Sequence, residues 1–150
     1  MKDILCIKGG VHEDVRGSVS FVNGCSLADA RRFYWISQTV ENPVRAWMGH
    51  RHERKWFVPV DGRTTLVLRR LLDEPGRPVR MDAQCAVFAL DATAPCAIAV
   101  PVGYCAGFRS ETDDAKVLVF SDKTLDEAAG DMVRFEKDDG FDWNTLKGVK

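Results

Sequence analysis

Two histidines two positions apart, His50 and His52, are the first residues whose types and spacing can do chemistry. On an extended strand, positions i and i+2 point to one face, so the two imidazoles can meet one ligand, as small barrels do when they hold a metal ion. The plainer reading is a solvated pair beside Arg51, Glu53 and Arg54. The second segment is Pro101-Val102-Gly103-Tyr104-Cys105-Ala106-Gly107-Phe108. A Pro-x-Gly turn between two apolar strands fits a barrel corner, although by itself it is also a plain tight turn.

The elements that must position these residues are mostly strands. Short runs rich in β-branched and aromatic residues recur between Gly, Pro and Asp. Strands are expected at Arg16 to Val22, Arg32 to Ser37, Lys55 to Val60, Thr64 to Leu72, Ala86 to Leu90, Ala97 to Val100 and Lys116 to Phe120. Asp61-Gly62 reads as a hairpin turn joining the third of these to the fourth. One helix is signalled near residues 125 to 135. There Thr124-x-x-Glu127 fits a capping box, and Leu125, Ala128, Ala129, Met132 and Val133 follow at helical spacing. Many short strands and one helix predict a single all-β domain over residues 1–150, a sandwich or barrel.

Composition narrows the function classes. Apolar residues make up 45% and charged residues 29%, which is the composition of a folded domain rather than a disordered chain. The 21 basic and 22 acidic residues leave a formal charge of −1, so a general affinity for nucleic acid is not expected. No apolar run is long enough to span a membrane. The opening Met1-Lys2-Asp3-Ile4-Leu5-Cys6 is too short and too acidic for a signal peptide. Cys6, Cys25, Cys85, Cys96 and Cys105 are odd in number, which predicts free thiols in a reducing cytoplasm, most of them small core residues.

Taken together, the two segments resemble the two motifs of the cupins, small jelly-roll barrels. His50-x-His52 is followed at the spacing of the first motif by Lys55 or Trp56 where the cupins carry Glu, and then by Gly62. In the second motif Pro101-x-Gly103-x-x-Ala106 has Ala in place of His. Half of the usual metal ligands are therefore absent, and an ammonium at position 55 would repel a cation. More of the chain resembles the metal-independent nucleotide-sugar branch of the cupins, the dTDP-4-dehydrorhamnose 3,5-epimerases and dTDP-4-keto-6-deoxyhexose 3,4-ketoisomerases. Asp14-Val15-Arg16-Gly17 matches the epimerases' Asp-x-Arg-Gly, and Arg31-Arg32-Phe33-Tyr34-Trp35-Ile36 is similar to a ketoisomerase strand. Arg45-Ala46-Trp47-Met48-Gly49-His50-Arg51 corresponds to Arg-Gly-x-His-Ala-His-Lys. Lys55 before Gly62, Gly103 to Phe108, and the late Asp138 to Trp143 complete six ordered matches.

The resemblance implies a jelly-roll barrel (the cupin double-stranded β-helix) with a short C-terminal helix, a homodimer, a nucleotide-sugar substrate, and no metal or redox cofactor. It implies His50 as base, Lys55 as enolate stabiliser, and Arg16 and Arg45 as phosphate contacts. Beside these, His52 and Tyr104 are candidate substrate contacts, and the phenols of Tyr34 and Tyr104 are either replacement acids or plain barrel packing. The chemistry fits these types. Removing a proton beside a ketone needs a base that titrates near neutrality, and the enolate needs a positive charge close by. The epimerases' own base stands at the Met48 position, their late His at Ala106 and their Tyr near Phe120, and none of these three residues can transfer a proton. Three readings follow: an enolising isomerase or epimerase, a sugar-nucleotide-binding protein without turnover, and a metal cupin using His50 and His52. For the first, the pocket is expected inside the barrel, lined by His50, Lys55, Tyr34 and Phe120, with Met48 facing in.

Overall fold

Alternation of apolar and polar residues makes strands of most of the chain, and the segments that lack it form the corners. A computed structural model describes residues 1–146. In chain order the strands are β1 (Leu5–Lys8), β2 (Gly10–Asp14), β3 (Gly17–Phe21), β4 (Arg32–Ser37), β5 (Val44–His50), β6 (Lys55–Asp61) and β7 (Arg63–Leu72). They continue as β8 (Arg80–Asp91), β9 (Cys96–Val100), β10 (Tyr104–Ser110), β11 (Lys116–Ser121) and β12 (Met132–Arg134), with the helix α1 at Leu125–Asp131 before β12. A 3-10 turn at Trp143–Leu146 follows.

Two antiparallel sheets face each other, in the orders β1-β9-β6-β11-β4 and β12-β5-β10-β7-β8, while β2 and β3 form a separate hairpin. From β4 onward the chain passes back and forth between the sheets, with only β7 and β8 consecutive in one sheet. This is the path of a jelly roll, and the all-β expectation holds. Between the sheets lies a core that includes Phe57, Leu66, Leu68, Ile98, Phe108, Val117 and Val119. A second cluster, with Trp47, Val67, Leu71, Cys105 and Trp143, covers the outer face of the second sheet. There the indoles of Trp47 and Trp143 both donate to the Lys137 carbonyl, and Arg69 and Arg109 donate to carbonyls of Asp139, Trp143 and Leu146. The C-terminal segment is thus tied across that face. Among the described residues the first sheet's outer face has no such cover, and Phe33 and Trp35 on it are 63% and 61% exposed.

Several expectations need correction. Asp61-Gly62 is not a hairpin: Gly62 (φ +56°) turns the chain from β6 in one sheet to β7 in the other. The helix ends at Asp131, short of residue 135, because Met132–Arg134 pairs with His50, Gly49 and Met48 of β5. Its N-terminus matches the reading: Thr124 Oγ1 accepts from Glu127 N, and Thr124 N donates to Glu127 Oε2. Residue 16 lies in a turn, and the strand expected there begins at Gly17. All five thiols are free, but only Cys96 and Cys105 are buried.

Candidate active site

His50 is the last residue of β5, Lys55 the first of β6, and the four residues between them turn the chain from one sheet to the other. The register places Ser121 of β11 opposite both Arg32 of β4 and Lys55 of β6, so these three form a row across the first sheet. Glu53, in the turn, lies against this row with its side chain fully buried. Its Oε1 accepts from Arg32 Nη2 at 3.0 Å and from the Ser121 hydroxyl. Its Oε2 stands 2.9 Å from His50 Nδ1 and 3.4 Å from Lys55 Nζ, and those two nitrogens are 3.0 Å apart. The Arg32 guanidinium also lies over the Tyr34 ring, 5.0 Å from its centroid.

Burial by itself would raise the Glu53 carboxyl, but His50, Lys55 and Ser121 together hold it down to about 2. Burial lowers the Lys55 ammonium, and Glu53 opposes that shift. Burial, reinforced by the Glu53 charge, pushes the Tyr34 hydroxyl up to about 12, so near neutral pH it is a proton donor and not a phenolate. An imidazole, an ammonium and a phenol of this kind are the groups that enolisation uses. A cation at His50 would meet the Lys55 ammonium beside Nδ1, and among the described residues no group of three or more His, Cys, Asp or Glu is arranged to hold a metal ion.

These groups face a cleft of about 1130 Å³. Alternation along β4 directs Arg32, Tyr34 and Ile36 to it, and β5 contributes Arg45, Met48 and His50. Lys55, Phe57, Ala106 and Phe108 line it as well, and the far side is formed by α1, Arg134 and Phe135. Arg45 and Arg134 border the cleft without a carboxylate in ion-pair range among the described residues.

The structure brings His50, Lys55, Tyr34 and Arg45 to one cleft and leaves three other candidates elsewhere. Arg16 is at the tip of the β2–β3 hairpin, its side chain 86% exposed and paired with Asp14 at 2.6 Å, so Asp14-x-Arg16 makes a local turn. His52 is exposed beyond the end of β5, and its backbone N–H donates to Asp131 Oδ2. The two imidazoles therefore do not share a face. Tyr104 is buried, but its hydroxyl donates to Asp3 and accepts from Arg70, and its ring lines only a cavity of about 10 Å³ behind His50. Phe120 also departs from expectation. Buried Val119 and Ser121 face inward, so Phe120 points out and packs on Phe33 at 6.0 Å between centroids.

Sequence reading missed Glu53, Arg32 and Arg134. Arg32 was accessible to it, since it shares a strand face with Tyr34. Glu53 has the sequence context of a solvated charge, and no local signal separates it from Arg51 or Arg54.

The same fold is found in solved structures of sugar-nucleotide enzymes. A dTDP sugar isomerase from Desulfovibrio desulfuricans G20 superposes with a TM-score of 0.74 at 18% identity, covering 99% of this chain and 94% of that one. The rmlC epimerase of Mycobacterium tuberculosis gives 0.72 at 18% identity, covering 93% and 74%. QdtA, a sugar 3,4-ketoisomerase from Thermoanaerobacterium thermosaccharolyticum in complex with TDP, gives 0.66 at 14% identity, covering 93% of each chain. The fold is thus the RmlC-like cupin barrel. No protein-family model matches the sequence, and the search of curated proteins found no match.

Proposed function

We propose that this chain is a sugar-nucleotide isomerase or epimerase that enolises a dTDP-linked 4-keto-6-deoxyhexose without a metal or redox cofactor. The observation that carries the reading is the buried His50 beside Lys55 on a cleft that also presents the cations Arg45 and Arg134, which have no carboxylate in ion-pair range among the described residues. Ligand pockets commonly measure about 300–1,000 Å³, and this cleft is large enough for a nucleotide sugar. In this reading His50 takes the proton from the carbon beside the ketone. Lys55 supplies positive charge to the enolate oxygen, with Tyr34 as a hydrogen-bond donor. Arg45 and Arg134 contact the diphosphate. His50 then returns its proton to the neighbouring carbon, the old carbonyl carbon, while the hydroxyl proton of the enediol passes from the new carbonyl oxygen to the old one. One base acting on one face suits keto-isomerisation, whereas inversion at a carbon requires a second proton donor on the opposite face.

A second reading, nucleotide-sugar binding without turnover, is favoured by one observation: Met48 and Ala106 line the cleft where the resemblance places imidazoles. Incubation with dTDP-4-keto-6-deoxyglucose in D2O separates the two. Deuterium at C3 or C5 is expected, whereas nucleotide binding with no incorporation would favour the second reading and overturn the first. The exposed apolar face around Phe33 and Trp35 supports a homodimer with a second copy over the first sheet, and five free thiols suit a reducing cytoplasm. A monomer by sedimentation would refute that assembly.

A further inference from the structure

We propose that Glu53 is a positioning residue for His50: its buried carboxylate holds the proton on Nδ1 and leaves Nε2 as the basic nitrogen. The consequence for turnover rests on the enolising reading above, but the placement of the proton does not.

His50 Nδ1 has two charged neighbours that ask for opposite things. The Lys55 ammonium can only donate, and would take the Nδ1 lone pair, leaving the proton on Nε2. The Glu53 carboxylate can only accept, and calls for a proton on Nδ1. At 2.9 Å, Nδ1 and Oε2 are at hydrogen-bond distance, and two proton-free acceptors facing each other there would repel. With the proton on Nδ1, the imidazole and Lys55 are two donors converging on one oxygen. The 3.0 Å between Nδ1 and Lys55 Nζ is itself a hydrogen-bond distance, so Lys55 competes for Nδ1, and the 2.9 Å contact of Nδ1 with Oε2 is the shorter of the two.

The rest of the surroundings agrees. Oε1 is already engaged by Arg32 and Ser121, whereas Oε2 is buried and, among the described residues, has ion-pair contacts but no hydrogen bond. A buried carboxylate oxygen left so is costly, and the imidazole N–H is its nearest donor. The carboxylate then does two things for a base. It keeps Nε2 free before reaction, and it is a counter-charge for the imidazolium once Nε2 has taken a proton. Arg32 and Ser121 act through Glu53, fixing the carboxylate and not the ring.

The chain has three histidines, so a histidine-labelled ¹⁵N spectrum is small enough to assign. In its neutral form His50 is expected as the Nδ1–H tautomer in the free protein. An Nε2–H tautomer there overturns the proposal, and this measurement needs no sugar nucleotide. Glu53→Leu should hand Nδ1 to Lys55, move the proton to Nε2, and slow deuterium exchange by roughly 10²- to 10⁴-fold, the scale of a wrong-tautomer base. Glu53→Asp should keep the Nδ1–H signature and restore part of the exchange. If Glu53→Leu does not fold, the wild-type spectrum and Glu53→Asp decide. A Glu53→Leu protein that folds and retains the wild-type tautomer refutes the assignment. Should the tautomer be as expected while no 4-keto sugar nucleotide exchanges, the functional reading fails and the positioning of His50 stands.

Discussion

Met48 of β5 and Ala106 of β10 are directly opposed cross-strand neighbours, and both face the cleft beside His50. They form an apolar wall at the two places where the resemblance calls for imidazoles. Restoring one of them tests whether the cleft still binds a ketone in reach of that wall. Ala106 has a small side chain and leaves room for a ring on the adjacent strand. Met48→His is expected to raise proton exchange beside the ketone, with positioned proton transfer contributing about 10²- to 10⁴-fold. Exchange that stays flat or falls, in a folded variant that binds nucleotide, would mean that the natural site is already rearranged around His50.

Lys55 has two roles that one substitution separates. Lys55→Met keeps the length of the buried stem and removes the charge. Deuterium exchange should fall at least tenfold, since the enolate loses its cation. Stability should fall by about 1–3 kcal/mol, because Glu53 loses one of its buried partners while keeping Arg32, His50 and Ser121. Chemical denaturation reads the second effect. A stable variant with full exchange would remove Lys55 from the mechanism.

Glu53 sets an acid limit on stability. Its folded-state carboxyl is held at about 2, below its ordinary value of 4.5. The stabilisation is therefore complete above about pH 4.5 and is lost as the pH falls toward 2, when the unfolded chain takes up the proton first. The difference corresponds to something on the order of 3 kcal/mol. Wild-type stability measured from pH 6 to pH 2 should fall more steeply than that of Glu53→Gln. Parallel curves would show that the carboxylate is not held in this way.

Gly49 separates the two cleft-facing residues of β5, Met48 and His50, and it has no room for a side chain. A methyl group there would run into the Cys105 side chain on the neighbouring strand. Gly49→Ala should cost about 1–3 kcal/mol by overpacking and displace His50 from Glu53. Adding Cys105→Gly should recover part of the loss. Equal melting temperatures for wild type and Gly49→Ala would contradict the close approach of β5 and β10.

Arg45 and Arg134 lie on adjacent strands, and both border the cleft. Replacing either by Ala should weaken dTDP binding by about tenfold or more, as expected for a hydrogen bond to a charged group, with a smaller effect on thymidine. Calorimetric titration with the two ligands distinguishes a diphosphate contact from general damage. An equal loss for both ligands would exclude the diphosphate role.

Much of the fold is legible locally. Period-two alternation gives Arg32 to Ser37 as a strand with the bounds observed, and it already places Arg32 on the same face as Tyr34. The capping box marks the start of α1 because Thr124 and Glu127 satisfy each other across three residues. Where α1 stops is not local. Met132 and Val133 keep the helical spacing, yet β5 has an open edge, and pairing with it replaces the next helical turn. Asp61-Gly62 has the residues of a hairpin, but β6 pairs with β9 and β11 and β7 with β8 and β10, so the turn becomes a corner between sheets.

The site divides in the same way. His50 stands out by type and spacing and Lys55 by the family resemblance, and a short turn between two sheets brings these residues, five apart, together. Arg16, matched by motif alone, is held by Asp14 at a hairpin tip. Glu53 looks like one solvated charge among Arg51, His52 and Arg54. Its burial depends on Arg32, 21 residues away, and Ser121, 68 residues away, which only the pairing of β4, β11 and β6 brings alongside it. A carboxylate is stable in the interior when donors from several elements converge on it, and that convergence belongs to the tertiary structure.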